Sequence, residues 1–395
     1  MIKDEWQRLL FANWVQALVT ERLGYHGTQG TWKFQVDQAG RDVVLDIKPP
    51  TFKVAWQSTK QDRQAVDAII KEAWQRTQAL DLGPGAWYQT RFTSEVSLNS
   101  DLGQLHFMRI LSEHQRRRLH GPVRFTGDVL LQFEQKDLSP TPIAIPNFTV
   151  NVTLRAPGPG EGPFTARSAT DLATLVRAVL AYSTAAPLRH QFGGLSFPAK
   201  QEDVAQARER LADPSVGEIT VDGIVLAQRL TELAPYPELL RRVQGSLYAY
   251  EQALLQEGEY VTLVMLISAI EALGVPNVSG WDQRRAVARF INFVQQVAPG
   301  PLNEIMAHGN FKEAFGNRTS RTRFLNDLYS RRSRPLHTGF MQHNVQGALG
   351  YFASMPVQMR VAFTSELVRA CIKSFMEVPF SSLIGHPRIA PGEDD

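Results

Sequence analysis

Residues 263–274 read LVMLISAIEALG and are apolar on almost every side of a helix. A helix that is apolar on every side is stable only when all its faces are buried, so the segment predicts the buried centre of a helical bundle. Other segments with helical spacing of apolar residues surround it in sequence: 237–254, 282–298, 321–332 and 357–377. The chain from residue 237 onward is therefore predicted to be all helical.

The first half of the chain has a different pattern, in which apolar and polar residues alternate over short runs bounded by turn residues. Such runs are typical of strands, and they read TWKFQV, VVLDI, WYQTRFTSEVSL, VRFTGDVLLQF and FTVNVTL. Helical spacing returns over 4–23, 60–80 and 168–183, the last with Ser168 or Thr170 as its expected N-cap.

Together these patterns predict an α+β fold, in which a mixed, β-rich N-terminal domain precedes an all-α helical-bundle domain. The predicted boundaries are a first domain over 1–200, a linker region over 201–234, the helical bundle over 235–380 and a flexible tail over 381–395.

The composition is that of an ordinary globular protein, with 43% hydrophobic residues, 21% charged residues and a net charge of only +3 over 395 residues. A single cysteine, Cys371, excludes an intramolecular disulfide and is expected to be a small buried side chain. The first residues lack the pattern of a signal peptide, and the longest apolar run is too short for a membrane span. We therefore expect a cytoplasmic protein without a membrane partner.

Two motifs that resemble a phosphate loop and a metal site lack the residues or the spacing that such sites require. The glycines of APGPGEGP (156–163) are not followed by the Gly-Lys-Ser/Thr of a phosphate loop, and its prolines lack N–H donors, so a loop or linker is expected. The histidines at 106, 114 and 120 lack the spacing of a helical metal pair.

The most unusual charge pattern is NRTSRTRFLNDLYSRRSR (317–334), in which six arginines stand against one acid, Asp327. An exposed face of a helix is the ordinary interpretation, but such faces usually mix both signs of charge. Arginine also suits phosphate, because its planar guanidinium donates two hydrogen bonds to one group. The segment is thus a candidate for binding a polyanion.

Pro335 follows this basic run, and it is expected to end the helix because it lacks an N–H and disfavours helical geometry at Arg334. On one straight helix, residues five apart differ by about 140° around the axis, so the side chains of Arg332 and His337 would diverge. A break at Pro335 would let His337 fold back toward Arg332.

Glu271 is the one charge in the apolar helix, and a carboxylate there costs several kcal/mol unless it is paired or solvated. An arginine of the basic helix, Arg332 or Arg331, is one expected partner. The alternative is that Glu271 lies close enough to the helix end at Gly274 to reach water.

The two segments together resemble the HEPN superfamily, and most closely its ApeA-like branch, which combines an AxEAL helix with a downstream YxxRSxxxHG-type signature. The matching residues here are Ala269 to Leu273 and Tyr329 to Gly339, with Arg332 and His337 in the Arg-x4-His spacing. This chain departs from the pattern by one residue inserted between His337 and Gly339, and by Pro335 within the motif. The resemblance covers roughly 235–380.

This resemblance implies a helical domain that commonly dimerises, so that two Arg-x4–6-His motifs meet and cut RNA without a metal or another cofactor. Carried over to this chain, it implies catalytic roles for Arg332, His337, Glu271 and Ser333. The positive charge of the basic run adds expected contacts with the RNA backbone from Arg321, Arg323, Arg331 and Arg334. The implied partners are RNA, a second copy in a homodimer or larger homo-oligomer, and a partner protein or phage-derived trigger, because many members act in antiphage, toxin–antitoxin or CRISPR-associated defence.

Elementary chemistry agrees with that implication, since RNA supplies its own nucleophile in the 2′-hydroxyl beside each phosphate. A histidine exchanges protons near neutral pH, and an arginine stabilises charge that develops on the phosphate. Three hypotheses follow: an endoribonuclease, a catalytically silent module that binds RNA or mediates assembly, and a purely structural turn in which Arg332 and His337 close against Glu271.

Overall fold

A computed structural model describes most of the chain with gaps, over residues 5–23, 33–38, 41–48, 53–57, 60–94, 105–114, 123–135, 148–191, 193–194, 196–212, 226, 229–233, 235–256, 258–274, 283–315, 319–338 and 357–377. Its helices are α1 (Glu5–Leu23), α2 (Lys60–Gln78), α3 (Pro163–Thr184), α4 (Gln201–Ala212), α5 (Pro237–Leu254), α6 (Glu259–Gly274), α7 (Gln283–Val297), α8 (Pro299–Ala307), α9 (Gly309–Phe315), α10 (Arg321–Thr338) and α11 (Val357–Glu377). Its strands are β1 (Lys33–Gln38), β2 (Arg41–Lys48), β3 (Lys53–Gln57), β4 (Ala86–Ser94), β5 (Leu105–His114), β6 (Val123–Gln135), β7 (Phe148–Ala156), β8 (Arg189–His190) and β9 (Phe197–Pro198).

The strands form two antiparallel sheets, which confirms an α+β fold. Strands β1, β2 and β3 form a meander, and a second sheet has the order β5-β6-β7-β4-β8, with β9 also paired to β4. In β4 the buried and partly exposed residues alternate, as expected for a strand with one face against a core. The strands predicted from alternation in the sequence are all present.

The main core joins the second sheet to the helices through α3. Side chains of the sheet such as Phe92 and Val152 belong to the same buried cluster as Val176 of α3, Leu247 of α5 and Ile270 of α6. At Gly127 of β6 the helix α3 approaches so closely that a Cβ would collide with Leu172, so a larger residue there would push the helix from the sheet. One continuous core therefore underlies both the sheet and the helices.

A second core lies under α1 and α2, built around two tryptophans and the apolar faces of both helices. The indole of Trp14 donates a hydrogen bond to the backbone carbonyl of Asp81 (2.8 Å). The guanidinium of Arg76 lies over the same indole, 4.3 Å from the ring centre. Phe164 packs edge-on against Trp6 at 4.4 Å, so the start of α3 is joined to this core as well.

The start of α3 differs from the prediction, because the helix begins at Pro163 and not near Ser168 or Thr170. Its cap comes from a remote residue: the buried Asn13 of α1 accepts hydrogen bonds from the backbone N–H groups of Phe164 (3.2 Å) and Thr165 (3.4 Å). Proline is favoured at this position, since the first N–H groups of a helix have no intrahelical acceptor.

The preceding loop, APGPGEGP, packs tightly against its surroundings and does not behave as a simple linker. A Cβ at Gly158 would collide with Thr165, and one at Gly162 would collide with Asn13. The backbone N–H of Gly85 donates to the carbonyl of Gly158 (2.9 Å), and the hydroxyl of Thr165 donates to that of Gly160 (2.6 Å). The glycines thus allow the close approach that the remote cap requires.

Candidate functional site

Helix α6, the predicted centre of the bundle, is buried along most of its length. Leu263, Leu266, Ile267, Ile270 and Leu273 all have less than a tenth of their surface exposed. The helix packs against α5, α7, α10 and α11, which accounts for an apolar surface on nearly every side. Glu271 is half-buried near its C-terminal end.

The carboxylate of Glu271 meets the basic helix at Tyr329. The hydroxyl of Tyr329 donates a hydrogen bond to Oε1 of Glu271 at 2.9 Å. Tyr329 is 3% exposed, and its ring lies 5.3 Å from that of Phe290 of α7, so the hydroxyl is held in place by packing. The two segments predicted to act together are therefore in contact through these two residues.

The helix α10 continues through Pro335 to Thr338, so the predicted break at Pro335 is wrong. A proline lacks the N–H that would bond the carbonyl four residues earlier, but here it lies in the last turn, where one lost bond is tolerated most easily. Because residues 332 and 337 belong to one helix, their positions differ by about 140° around its axis. The break that would have brought His337 back toward Arg332 of the same chain is absent.

The first turn of α10 is basic and exposed. Ser320 caps it: its hydroxyl accepts from the backbone N–H of Arg323 at 3.2 Å, and its carbonyl from that of Phe324 at 3.0 Å. Arg321 and Arg323 are exposed, and neither forms an ion pair with a carboxylate in the part of the chain that the structure describes. Arginines at a helix N-terminus oppose the helix dipole, whereas an anion there is favoured by it.

The remaining predicted site residues lie on the last two turns of α10, and their side chains are outside the described part of the structure: Arg331, Arg332, Ser333, Arg334 and His337. Their backbone positions place Arg332 one turn beyond Tyr329. The predicted pairing of Glu271 with Arg332 or Arg331 stays a prediction, and the described contact of Glu271 is with the tyrosine hydroxyl.

A second carboxylate, which the sequence analysis did not identify, is more deeply buried than Glu271. Glu251 of α5 is 1% exposed, and its Oε1 forms an ion pair with Nε of Arg177 of α3. Its Oε2 is buried as well. Burial raises the pKa of Glu251, and the neighbouring Arg177 opposes that rise. The four-residue spacing from Leu247 in the apolar stripe of α5 is the signal that would have placed Glu251 in the core.

Two aromatic groups beside this ion pair have shifted pKa values. Burial, with the nearby carboxylates of Asp171 and Glu251, raises the pKa of Tyr248. Burial and the positive charge of Arg177 lower the pKa of His190 to about 4. The imidazole packs edge-on against Phe92, with 4.8 Å between ring centres. Both groups are thus neutral near neutral pH.

The other sequence predictions concern single residues and membranes. Cys371 is fully buried, as predicted, and burial raises its pKa to about 12. Within the described ranges, no three His, Cys, Asp or Glu side chains are grouped as metal ligands. Every helix in those ranges is too short or too polar to cross a lipid bilayer.

Comparisons of the chain with protein-family models, with curated proteins and with solved structures find no match.

Proposed function

We propose that this protein is a metal-independent endoribonuclease whose catalytic groups are Arg332 and His337, contributed by different protomers of a dimer. The observation that carries the proposal is the hydrogen bond from Tyr329 to Glu271. It joins the helix that bears Glu271 to the segment that bears the Arg-x4-His motif, across 58 residues of chain. This contact holds Tyr329, one turn before position 332 on α10, against the buried helix α6. A rigidly supported helix is a suitable element on which to position catalytic side chains.

A dimeric site follows from the continuity of α10. Positions 332 and 337 lie about 140° apart around the axis of one helix. We therefore expect a single phosphate to contact both residues only when two copies of the helix face each other. An isologous dimer places Arg332 of one protomer near His337 of its partner, and the reverse, at a two-fold axis. Ser333 and Glu271 would then orient groups at this axis.

The chemistry requires only a proton-transfer group and a fixed cation. His337 would accept the proton of the ribose 2′-hydroxyl as its oxygen forms a bond to the adjacent phosphorus. The bond from phosphorus to the 5′-oxygen of the next nucleotide breaks, and that oxygen takes up a proton from solvent, to which His337 returns its own. Arg332 would stabilise the charge on the phosphate oxygens in the transition state. The products are a 2′,3′-cyclic phosphate and a 5′-hydroxyl, so the reaction consumes no water and needs no metal-bound nucleophile.

The basic first turn of α10 supports RNA as the substrate. Arg321 and Arg323 are exposed where the helix N-terminus already carries positive partial charge, and an RNA phosphate there would relieve their mutual repulsion. Arg331 and Arg334 would extend the same contact along the backbone. A role in antiphage or toxin–antitoxin defence, with a partner protein or phage-derived trigger, is proposed on the HEPN resemblance alone. The cytoplasmic location is proposed on the sequence patterns, which lack a signal peptide and a membrane span.

The test is RNA digestion by the purified full-length chain with a chelator present. Wild-type protein should cut a labelled single-stranded RNA and leave a cyclic phosphate, whereas Arg332→Ala and His337→Ala should each lose about 100-fold or more in rate. Arg189→Ala, which removes an exposed arginine of β8, is the matched control and should retain full activity. Equal cutting by the wild type and both site variants would exclude the proposed site.

The continuity of α10 also favours a second candidate, a catalytically silent module that binds RNA or assembles with a partner protein. In that case the residues at 332 and 337 serve separate contacts on opposite sides of one helix. This candidate predicts salt-sensitive RNA binding that weakens in Arg321→Ala and Arg323→Ala, with no cleavage products under any condition. Cleavage of RNA that carries a 2′-hydroxyl, but not of the 2′-deoxy analogue, decides for the nuclease.

A further inference from the structure

A cavity of about 340 Å³ opens between α8 and α11, with Tyr182 of α3 also in its lining. Helix α11 contributes Glu366, Arg369 and Lys373, which lie on one face because they are three and four residues apart. Helix α8 and the residue after it contribute Glu304 and His308. None of the described side chains of α10 is among the lining residues.

The two cations of this cavity, Arg369 and Lys373, form no ion pair within the ranges that the structure describes. The guanidinium carbon of Arg369 lies 5.7 Å from the ring centre of Tyr182, and both residues line the cavity, so the cation is held at its wall. The lining is therefore suited to an anionic group beside Arg369 and Lys373.

The same cavity also has two carboxylates, which makes a simple inorganic anion a poor fit. Glu304 and Glu366 would repel a ligand that is negative throughout, but they accept hydrogen bonds from hydroxyl groups. The ligand that fits has an anionic end and a hydroxyl-bearing part.

Aromatic side chains complete the lining. Phe363 packs edge-on against the imidazole of His308, with 5.6 Å between ring centres. Nδ1 of His308 accepts the backbone N–H of Asn310 at 3.3 Å, which fixes the ring beside the cavity. Flat aromatic groups bind well against such side chains.

We propose that this cavity binds a nucleoside monophosphate. Arg369 and Lys373 contact the phosphate, Glu304 or Glu366 accepts the ribose hydroxyls, and the base lies against Phe363 and His308. The volume of about 340 Å³ is at the small end for ligand sites, which favours a mononucleotide over a larger dinucleotide. An aromatic amino acid shares the anionic end and the flat ring, and it is the alternative that the experiment must separate.

The experiment is calorimetric titration of the full-length protein with AMP, GMP, CMP and UMP, and with adenosine, inorganic phosphate and tryptophan. At least one nucleotide should bind at micromolar to millimolar concentration, and its nucleoside and inorganic phosphate should each bind at least tenfold more weakly. Lys373→Gln changes an exposed residue and should weaken nucleotide binding about tenfold without unfolding the protein. Arg369→Gln should weaken nucleotide binding further. The control is Lys312→Gln, which changes an exposed lysine of α9 outside the lining and should leave nucleotide binding unchanged.

Three results would overturn the proposal: no binding of any nucleotide at millimolar concentration, nucleotide binding that is unchanged in both Lys373→Gln and Arg369→Gln, or tighter binding of tryptophan than of every nucleotide. None of these results depends on RNA cleavage, so the outcome is independent of the nuclease assay.

Discussion

Two glutamates enter the helical core, and they are held in different ways. Glu251 is 1% exposed and paired with the guanidinium of Arg177, whereas Glu271 is half-buried and accepts a hydrogen bond from the neutral hydroxyl of Tyr329. The first arrangement balances a buried charge with a buried charge, and it joins α3 to α5. The second leaves the carboxylate near the end of its helix, beside the basic segment. A carboxylate in a helical core can thus have a structural role or remain accessible to a ligand. The charge of its partner and the extent of its burial distinguish these two cases.

The largest expected effect is on stability, from removal of the partner of Glu251. Arg177→Met should lower the free energy of unfolding by about 3–5 kcal/mol, because the carboxylate of Glu251 is left buried without its cation. The measurement is urea unfolding at neutral pH. Adding Glu251→Leu to Arg177→Met should recover most of the loss, since an apolar pair of similar volume can replace a buried ion pair.

The stability lost in Arg177→Met should depend on pH, because the protonation of Glu251 differs between the folded and unfolded states. Burial already raises the pKa of Glu251, and loss of Arg177 raises it further. The unfolded carboxyl ionises at about 4.3 and the folded one only at higher pH, so the folded state binds more protons between these values and stability falls as pH rises through them. The loss should therefore be smaller in acid, and a loss that is constant with pH would contradict this account of Glu251.

The next effect comes from His190, which lies beside the same ion pair. Its pKa is lowered to about 4 in the folded protein, against about 6.5 in the unfolded chain, so only the unfolded state gains a proton in this window. Stability should fall as pH decreases from about 6.5 toward 4, by on the order of 2 kcal/mol because the ring is only partly shielded from solvent. The slope of unfolding free energy against pH should decrease in His190→Gln, and an unchanged slope would exclude His190 as its source.

The smallest stability effect is expected at Glu271. Tyr329→Phe removes one hydrogen bond to a half-buried acceptor and should cost about 1 kcal/mol. If this contact positions α10 for cleavage, the rate of RNA cutting should fall several-fold while RNA affinity is unchanged. Tyr260→Phe, on α6 and outside this contact, is the matched control. A fall in affinity with no change in rate would assign the contact to RNA binding and not to positioning.

Local sequence patterns predicted the elements and only some of their ends. The strands and the buried helix α6 were recognised from periodicity, because one face of a strand and every face of that helix meet the core. The start of α3 was misplaced, since its cap is Asn13, about 150 residues away in sequence. The end of α10 was misplaced because the proline rule is weakest in the last turn of a helix.

The candidate site was predictable in part for the same reason. Glu271 was identified because it is the single charge in an apolar run, and its contact with the basic helix was expected, although with an arginine and not with Tyr329. Glu251 was missed because it follows ordinary helix residues and its partner Arg177 lies 74 positions earlier. The cavity between α8 and α11 required the packing of three helices, which no local pattern specifies.

The most direct test of the nuclease is complementation between two inactive variants. Arg332→Ala and His337→Ala chains are co-expressed with different tags, and the heterodimer is purified by both tags and assayed for RNA cleavage with a chelator present. If Arg332 and His337 act across the dimer, the heterodimer retains one intact site and should cut RNA at about half the wild-type rate, while each homodimer remains inactive. A heterodimer as inactive as both homodimers, beside an active wild type, would contradict a site shared between protomers.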